Sequence, residues 1–123
     1  MNKKKFPGAK PDHSECQRQL MAINDALDIV RGKWKVQIIV TLRFGTRRFK
    51  ELQREINGIT ARMLSKELRD LEMNQLVIRS VHNTIPVTVE YSLSDYGRTL
   101  DKVIDELRLW GLQHRKRIIR KAI

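Results

Sequence analysis

Arg62, Ser65, Lys66 and Arg69 recur at i, i+3, i+4 and i+7, a spacing that places them on one side of a helix. Arginine presents a planar fork of donors that bonds O6 and N7 of guanine in bidentate fashion, and serine and lysine reach base edges or phosphates. Leu64, Leu68 and Leu71 recur at i, i+4 and i+7 on a different side of the same segment, so that side is read as packing inward. A short helix with one apolar and one basic-polar stripe suits the DNA major groove when another helix and a tight turn precede it. The same stripe also describes a solvated charged face, with Glu67 and Asp70 near enough to supply ion pairs along the helix.

The surroundings favour the first reading. Between Arg43 and Arg69 stand Arg43, Arg47, Arg48, Lys50, Arg54, Arg62, Lys66 and Arg69 against three acids, a net of +5. Arg47 and Arg48 precede the first of the two helices, where they are placed to grip phosphate, a contact that positions a protein without reading sequence. Thr60 is the expected N-cap of the second helix, its hydroxyl accepting from the amide of Arg62 or Met63. Further on, Arg79, His82, Asn83 and Thr84 offer polar but weakly basic groups, suited to backbone or minor-groove contacts at most. The whole chain carries 25 Lys+Arg and 14 Asp+Glu, a formal charge of +11. A surplus of that size favours a polyanionic partner.

Other chemistries find little footing. His13, His82 and His114 are scattered, and His13-x-x-Cys16 supplies only two ligands where a metal site needs three or four. No phosphate-cradling glycine loop and no nucleophile motif is present. The chain therefore reads as no enzyme, with no metal and no cofactor. A basic module that binds RNA or docks proteins without operator specificity is the alternative to a DNA-binding one. The single cysteine, Cys16, excludes an internal disulfide framework. Lys3, Lys4 and Lys5 are followed by Pro7, Gly8, Lys10, Pro11 and Asp12 where a secretory signal needs an apolar run. The longest all-aliphatic stretch is Ile38-Ile39-Val40, far short of a membrane span. Cytoplasmic residence and no membrane partner are the expectation.

The elements that must hold these side chains are legible from periodicity. Residues 1–15 read as a flexible basic tail and 16–123 as one domain. Leu20, Ile23, Leu27 and Val30 mark a first helix from about residue 17. Trp34, Ile38, Ile39 and Leu42 mark a second from about Lys33 to Arg43, stopped by Gly45. Thr46-Arg47-Arg48 is a short extended piece. Phe49, Leu52 and Ile56 mark a third helix closed by Asn57-Gly58, and a fourth runs from Thr60 to about Met73. The period then changes to two: Val87, Val89, Tyr91 and Leu93 alternate with polar residues and pair with Val77–His82 across the loop 83–86. Ser94 is the expected N-cap of one long last helix, about 95–121. Helix, turn, helix (about 48–73) and then a hairpin (about 77–93) is the winged-helix layout, a mainly helical α+β fold.

The first and last helices carry more apolar surface than a small winged helix needs. Leu20, Ile23 and Leu27 on one, and Leu100, Val103, Leu107 and Trp110 on the other, are read as a dimer interface, with Ile104 part of the same apolar run. Pairing across a two-fold axis would bury both faces and set two recognition helices about 34 Å apart, one turn of DNA. Arg115, Lys116, Arg117, Arg120 and Lys121, with no acid among them, form either a disordered basic end or an added phosphate anchor.

Four stretches in order carry a family resemblance. Ala26-Leu27-Asp28-Ile29-Val30-Arg31-Gly32-Lys33-Trp34, Arg47-Arg48-Phe49-Lys50-Glu51-Leu52, the run from Gly58 to Leu68 that contains Arg62-Met63-Leu64-Ser65, and the run Val89-Glu90-Tyr91-Ser92-Leu93 through Gly97 resemble the signatures of the HxlR family, a MarR-like group of bacterial winged-helix regulators. The resemblance spans about residues 22–111. It implies a homodimeric regulator that recognises a pseudo-palindromic operator in double-stranded DNA and commonly represses, with a small-molecule or redox effector in some members. Two departures stand out. The Cys-Pro pair that members often carry before the first helix aligns with Met21 and Ala22, and Cys16 lies five residues earlier. Arg18 is placed to favour a Cys16 thiolate, yet an inert thiol is the plainer reading of this candidate redox sensor. The second departure is Thr88, where many members carry Arg or Lys.

Overall fold

The computed structural model of the protein describes residues 12–122. The chain divides into two compact units, Met1–Arg31 and Gly32–Ile123. Residues 1–11 of the expected tail lie outside the described residues.

The first unit contributes one helix, α1 (His13–Val30). It starts four residues before the expected position. Asp12 caps it, its carboxylate accepting from the Ser14 amide at 3.1 Å. Glu15 then bonds Arg18 at 2.9 Å and Gln19 at 3.3 Å along the first turns. These polar turns have no apolar period, so only the cap and the pairs announce them. Leu20, Ile23 and Leu27 line one side of α1, and about half of each remains exposed.

The second unit runs α2 (Lys35–Arg43), β1 (Arg47–Arg48), α3 (Phe49–Glu55), α4 (Ala61–Met73), β2 (Val77–His82), β3 (Thr88–Leu93), α5 (Asp95–Arg98) and α6 (Asp101–Ala122). The antiparallel sheet has the order β1-β3-β2, with Arg47 opposite Tyr91 on one side and Arg79 opposite Tyr91 on the other. This is the mainly helical winged helix-turn-helix that the sequence leads one to expect. Its core is aliphatic: Ile38, Ile39 and Leu42 of α2, Leu52 of α3, and Leu64, Leu68 and Leu71 of α4 are all nearly or fully buried. Ile56, Ile59, Leu76, Val77, Tyr91, Leu93 and Ile104 complete it.

Two turns fix how α4 meets the wing. After α4 the Leu76 amide donates to the Leu71 carbonyl and the Gln75 amide to the Glu72 carbonyl, both at 3.0 Å, the paired bonds of a Schellman stop. Gln75 occupies its left-handed position at φ 65°, where glycine is the usual residue. Ser94 closes the far side: its hydroxyl donates to the Gln75 carbonyl at 2.6 Å and accepts from the Gly97 amide at 2.8 Å.

The structure corrects three further boundaries. Helix α2 begins at Lys35 rather than Lys33, with Trp34 as its N-cap. Val87 lies in the loop, not in the strand, and is exposed. The expected single last helix is two. Ser94 caps only the short α5, which ends where the Thr99 hydroxyl turns back to the Tyr96 carbonyl at 2.5 Å, competing with the helical ladder. Helix α6 then starts at Asp101.

Candidate nucleic-acid interface

The chemistry of α4 depends on where its acids go. Lys35, at the start of α2, places its ammonium on Glu67 at 2.5 Å and on Asp70 at 3.4 Å. The Lys35 and Glu67 side chains are only 12% and 16% exposed, so this pair sits between two helices rather than on the surface. Burial works to lower the pKa of Lys35, but the two carboxylates more than offset it and hold the pKa above its ordinary value. Asp70 is held below its ordinary value, chiefly by the Lys66 ammonium at 3.3 Å, with Lys35 adding to it against burial. Glu67 is thus drawn inward, while Asp70 is shared between Lys35 and the exposed Lys66.

The opposite face keeps its cations. Arg62 and Arg69 are exposed and make no ion pair among the described residues. Ser65 is half-buried between them, and Lys66 is exposed and shares Asp70. Thr60 caps α4 as expected, its hydroxyl accepting from the Met63 amide at 3.1 Å, so that oxygen is engaged in holding the helix start. The structure therefore brings Arg62, Ser65, Lys66 and Arg69 onto one face while Leu64, Leu68 and Leu71 anchor the other.

The flanking cations divide into tied and free. Arg43 is tied to Asp101 at 3.0 Å and Asp105 at 2.9 Å, which fastens α2 to α6. Arg47 is not the free cation its position suggests: its guanidinium binds Glu55 at 3.0 Å, bracing β1 against α3. Arg48 is exposed and makes no ion pair among the described residues, and its amide donates to the Glu51 carboxylate at 2.8 Å to start α3. Lys50 and Arg54 are exposed on α3 and likewise make no ion pair among the described residues. They belong to the basic cluster read from the sequence, but facing them against Leu52 and Ile56 was needed to single them out.

On the wing, Arg79 is exposed on the edge strand β2 and Asn83 is exposed in the tip. His82 Nε2 lies 2.8 Å from Glu90 Oε1, so that histidine is engaged by the facing strand. Away from this surface, Val103, Leu107 and Trp110 of α6 are more than half exposed, Leu100 is half-buried, and Ile104 belongs to the core instead. The basic run after Arg115 is helical through Ala122 and not a disordered end. Cys16 is exposed on α1, and the guanidinium of Arg18 is occupied by Glu15, which removes the neighbour expected to favour a thiolate. Among the described residues no cluster of three His, Cys, Asp or Glu could hold a metal. None of the described helices is long and apolar enough to cross a membrane.

The family model for the HxlR-like helix-turn-helix matches residues 29–119. The HTH-type transcriptional regulator YtcD of Bacillus subtilis strain 168 is 38% identical over 104 residues, 85% of this chain and 82% of its own. Among solved structures, a MarR-family regulator from Enterococcus faecalis V583 is 34% identical with a TM-score of 0.74, covering 94% of this chain and 99% of that one. The redox regulator HypR in its reduced form is 38% identical with a TM-score of 0.73, covering 76% and 93%. A winged helix whose second helix turns arginines outward, matched over most of its length by helix-turn-helix regulators, belongs to the HxlR-like family of DNA-binding transcriptional regulators.

Proposed function

We propose that the chain is a homodimeric repressor that binds a pseudo-palindromic operator in double-stranded DNA, with α4 in the major groove. The observation that carries this reading is the outward face of α4, where Arg62 and Arg69 stand exposed and make no ion pair among the described residues, while Lys35 engages Glu67 and shares Asp70 with Lys66. Arg62, Ser65, Lys66 and Arg69 read base edges. Arg48, with Lys50, Arg54 and Arg79, grips phosphates, and Arg47 holds Arg48 in place through Glu55. Asn83 contacts the minor groove from the wing.

The dimer is supported by the apolar faces that a single copy leaves exposed: Leu20, Ile23 and Leu27 on α1, and Val103, Leu107 and Trp110 on α6. Leu100 borders the second face. Operator occupancy is the output such a dimer supports, hence repression in the cytoplasm. An effector fits the reading, and Cys16, the single cysteine, is the one thiol through which an oxidant would act. A module for RNA or proteins alone has no observation in its favour over this one.

A pair of variants tests the assignment. Arg62→Ala should cost about 1–3 kcal/mol on a duplex selected by the protein and relax its sequence preference. Arg48→Ala should weaken selected and random duplexes alike and reduce the salt slope by about 1. Identical effects of both changes on both duplexes would remove base reading from α4.

A further inference from the structure

The tip of the wing presents an exposed aliphatic side chain and carries no lysine or arginine. No Lys or Arg stands between Arg79 and Arg98. Ile85 is fully exposed at 102%, and Val81 and Val87 behind it are 55% and 58% exposed. The tip is nonetheless held in shape. The Thr84 amide donates to the His82 carbonyl at 2.8 Å, and the Thr84 hydroxyl donates to the Pro86 carbonyl at 2.8 Å. Pro86 fixes its own φ, and a β-branched isoleucine has few rotamers to lose. The result is a pre-shaped aliphatic point, unsuited to gripping phosphate and cheap in entropy to insert into an apolar slot.

We infer that Ile85 is a wedge that enters the minor groove beside the α4 site and parts a base step, bending the duplex. This rests on the wing being part of the DNA interface, as proposed above. Aliphatic side chains inserted from the minor groove unstack a step and kink DNA, and pyrimidine–purine steps yield most readily. The reach is adequate. Arg79, an exposed cation at the wing base, precedes His82 by three residues, about 10 Å of strand, and the minor groove is about 7.5 Å deep. Arg79 at the phosphates therefore leaves the tip at the groove floor, with Asn83 beside Ile85 for base-edge acceptors. Sequence preference at the operator flanks then comes from the deformability of a step.

The full chain, bound to a duplex it has selected from a random pool, provides the test. 2-Aminopurine is placed at successive flank positions, and bending is read by energy transfer between the duplex ends. The wild type should brighten the probe at one step in each half-site and bend the duplex by about 20–90°. Ile85→Ala should abolish both signals and lower affinity about tenfold where that step is TA or CA. Ile85→Lys should raise affinity for random duplex and steepen the salt slope by about 1 while still losing the probe signal. Since Ile85 touches nothing in the core, neither variant should alter folding. Selective binding without brightening, or brightening that survives Ile85→Ala, overturns the wedge and leaves the α4 reading intact. A wild type that selects no duplex overturns both.

Discussion

Gly97 shows what a single residue does for this fold. A Cβ built on it would lie 2.2 Å from the Leu76 carbonyl oxygen, a backbone atom that cannot swing aside. Only glycine lets α5 lie against the turn that ends α4. Two residues upstream of β2, Gln75 presents the reverse case, a side chain at φ 65° where glycine is at ease. Gly97→Ala should therefore destabilise the protein by about 3 kcal/mol, and Gln75→Gly should stabilise it by about 0.5–1 kcal/mol. Denaturant unfolding of the two variants reads both signs, and equal signs would mean that the turn is not fixed as described. Neither role was legible in the sequence. Gly97 was visible only as part of a motif, because the atom it must avoid is twenty-one residues away in the chain. The basic face of α4 was legible, because Arg62, Ser65, Lys66 and Arg69 are spaced by the helix itself. That Glu67 is drawn away from it was not, since Lys35 lies on another helix.

At the scale of elements, periodicity found what packs against the core and missed what does not. α3, α4 and the inner face of β3 were placed well because buried residues punctuate them. The first turns of α1 are polar throughout, and the break between α5 and α6 depends on a hydroxyl turning back to a carbonyl, so apolar spacing carried no sign of either. The junction of α2 with α4 depends on Lys35, Glu67 and Asp70. Replacing Lys35 with Met should cost about 2 kcal/mol at neutral pH, because it leaves the largely buried Glu67 unpaired. The pH dependence follows from the directions of the shifts. Lys35 has a raised pKa, so its contribution is complete below about pH 10 and is lost only at higher pH. Asp70 has a lowered pKa, so its contribution is complete above about pH 4 and is lost as pH falls through the lowered value. The stability gap between wild type and Lys35→Met should hold through neutrality and narrow below about pH 4. A gap that persists unchanged into acid would mean that the carboxylates are not what Lys35 answers to.

The whole molecule combines a charge of +11 with two apolar helix faces that one copy leaves open to water. Trp110 is 66% exposed although it is among the largest apolar side chains present, stacked on His114 with ring centroids 5.0 Å apart. Trp110→Asp should convert a dimer to a monomer in light scattering, and a retained dimer would put the interface elsewhere. Loss of the dimer should also weaken operator binding far more than binding to random DNA, since only a dimer spans both half-sites. The most direct test of the central claim is fluorescence anisotropy of the full chain against its selected duplex and a scrambled duplex across a salt series. Log affinity should fall linearly with log salt for both, and the preference for the selected duplex should persist near physiological salt. Equal binding to the two duplexes that vanishes as salt rises would reduce the protein to a basic surface with no operator specificity.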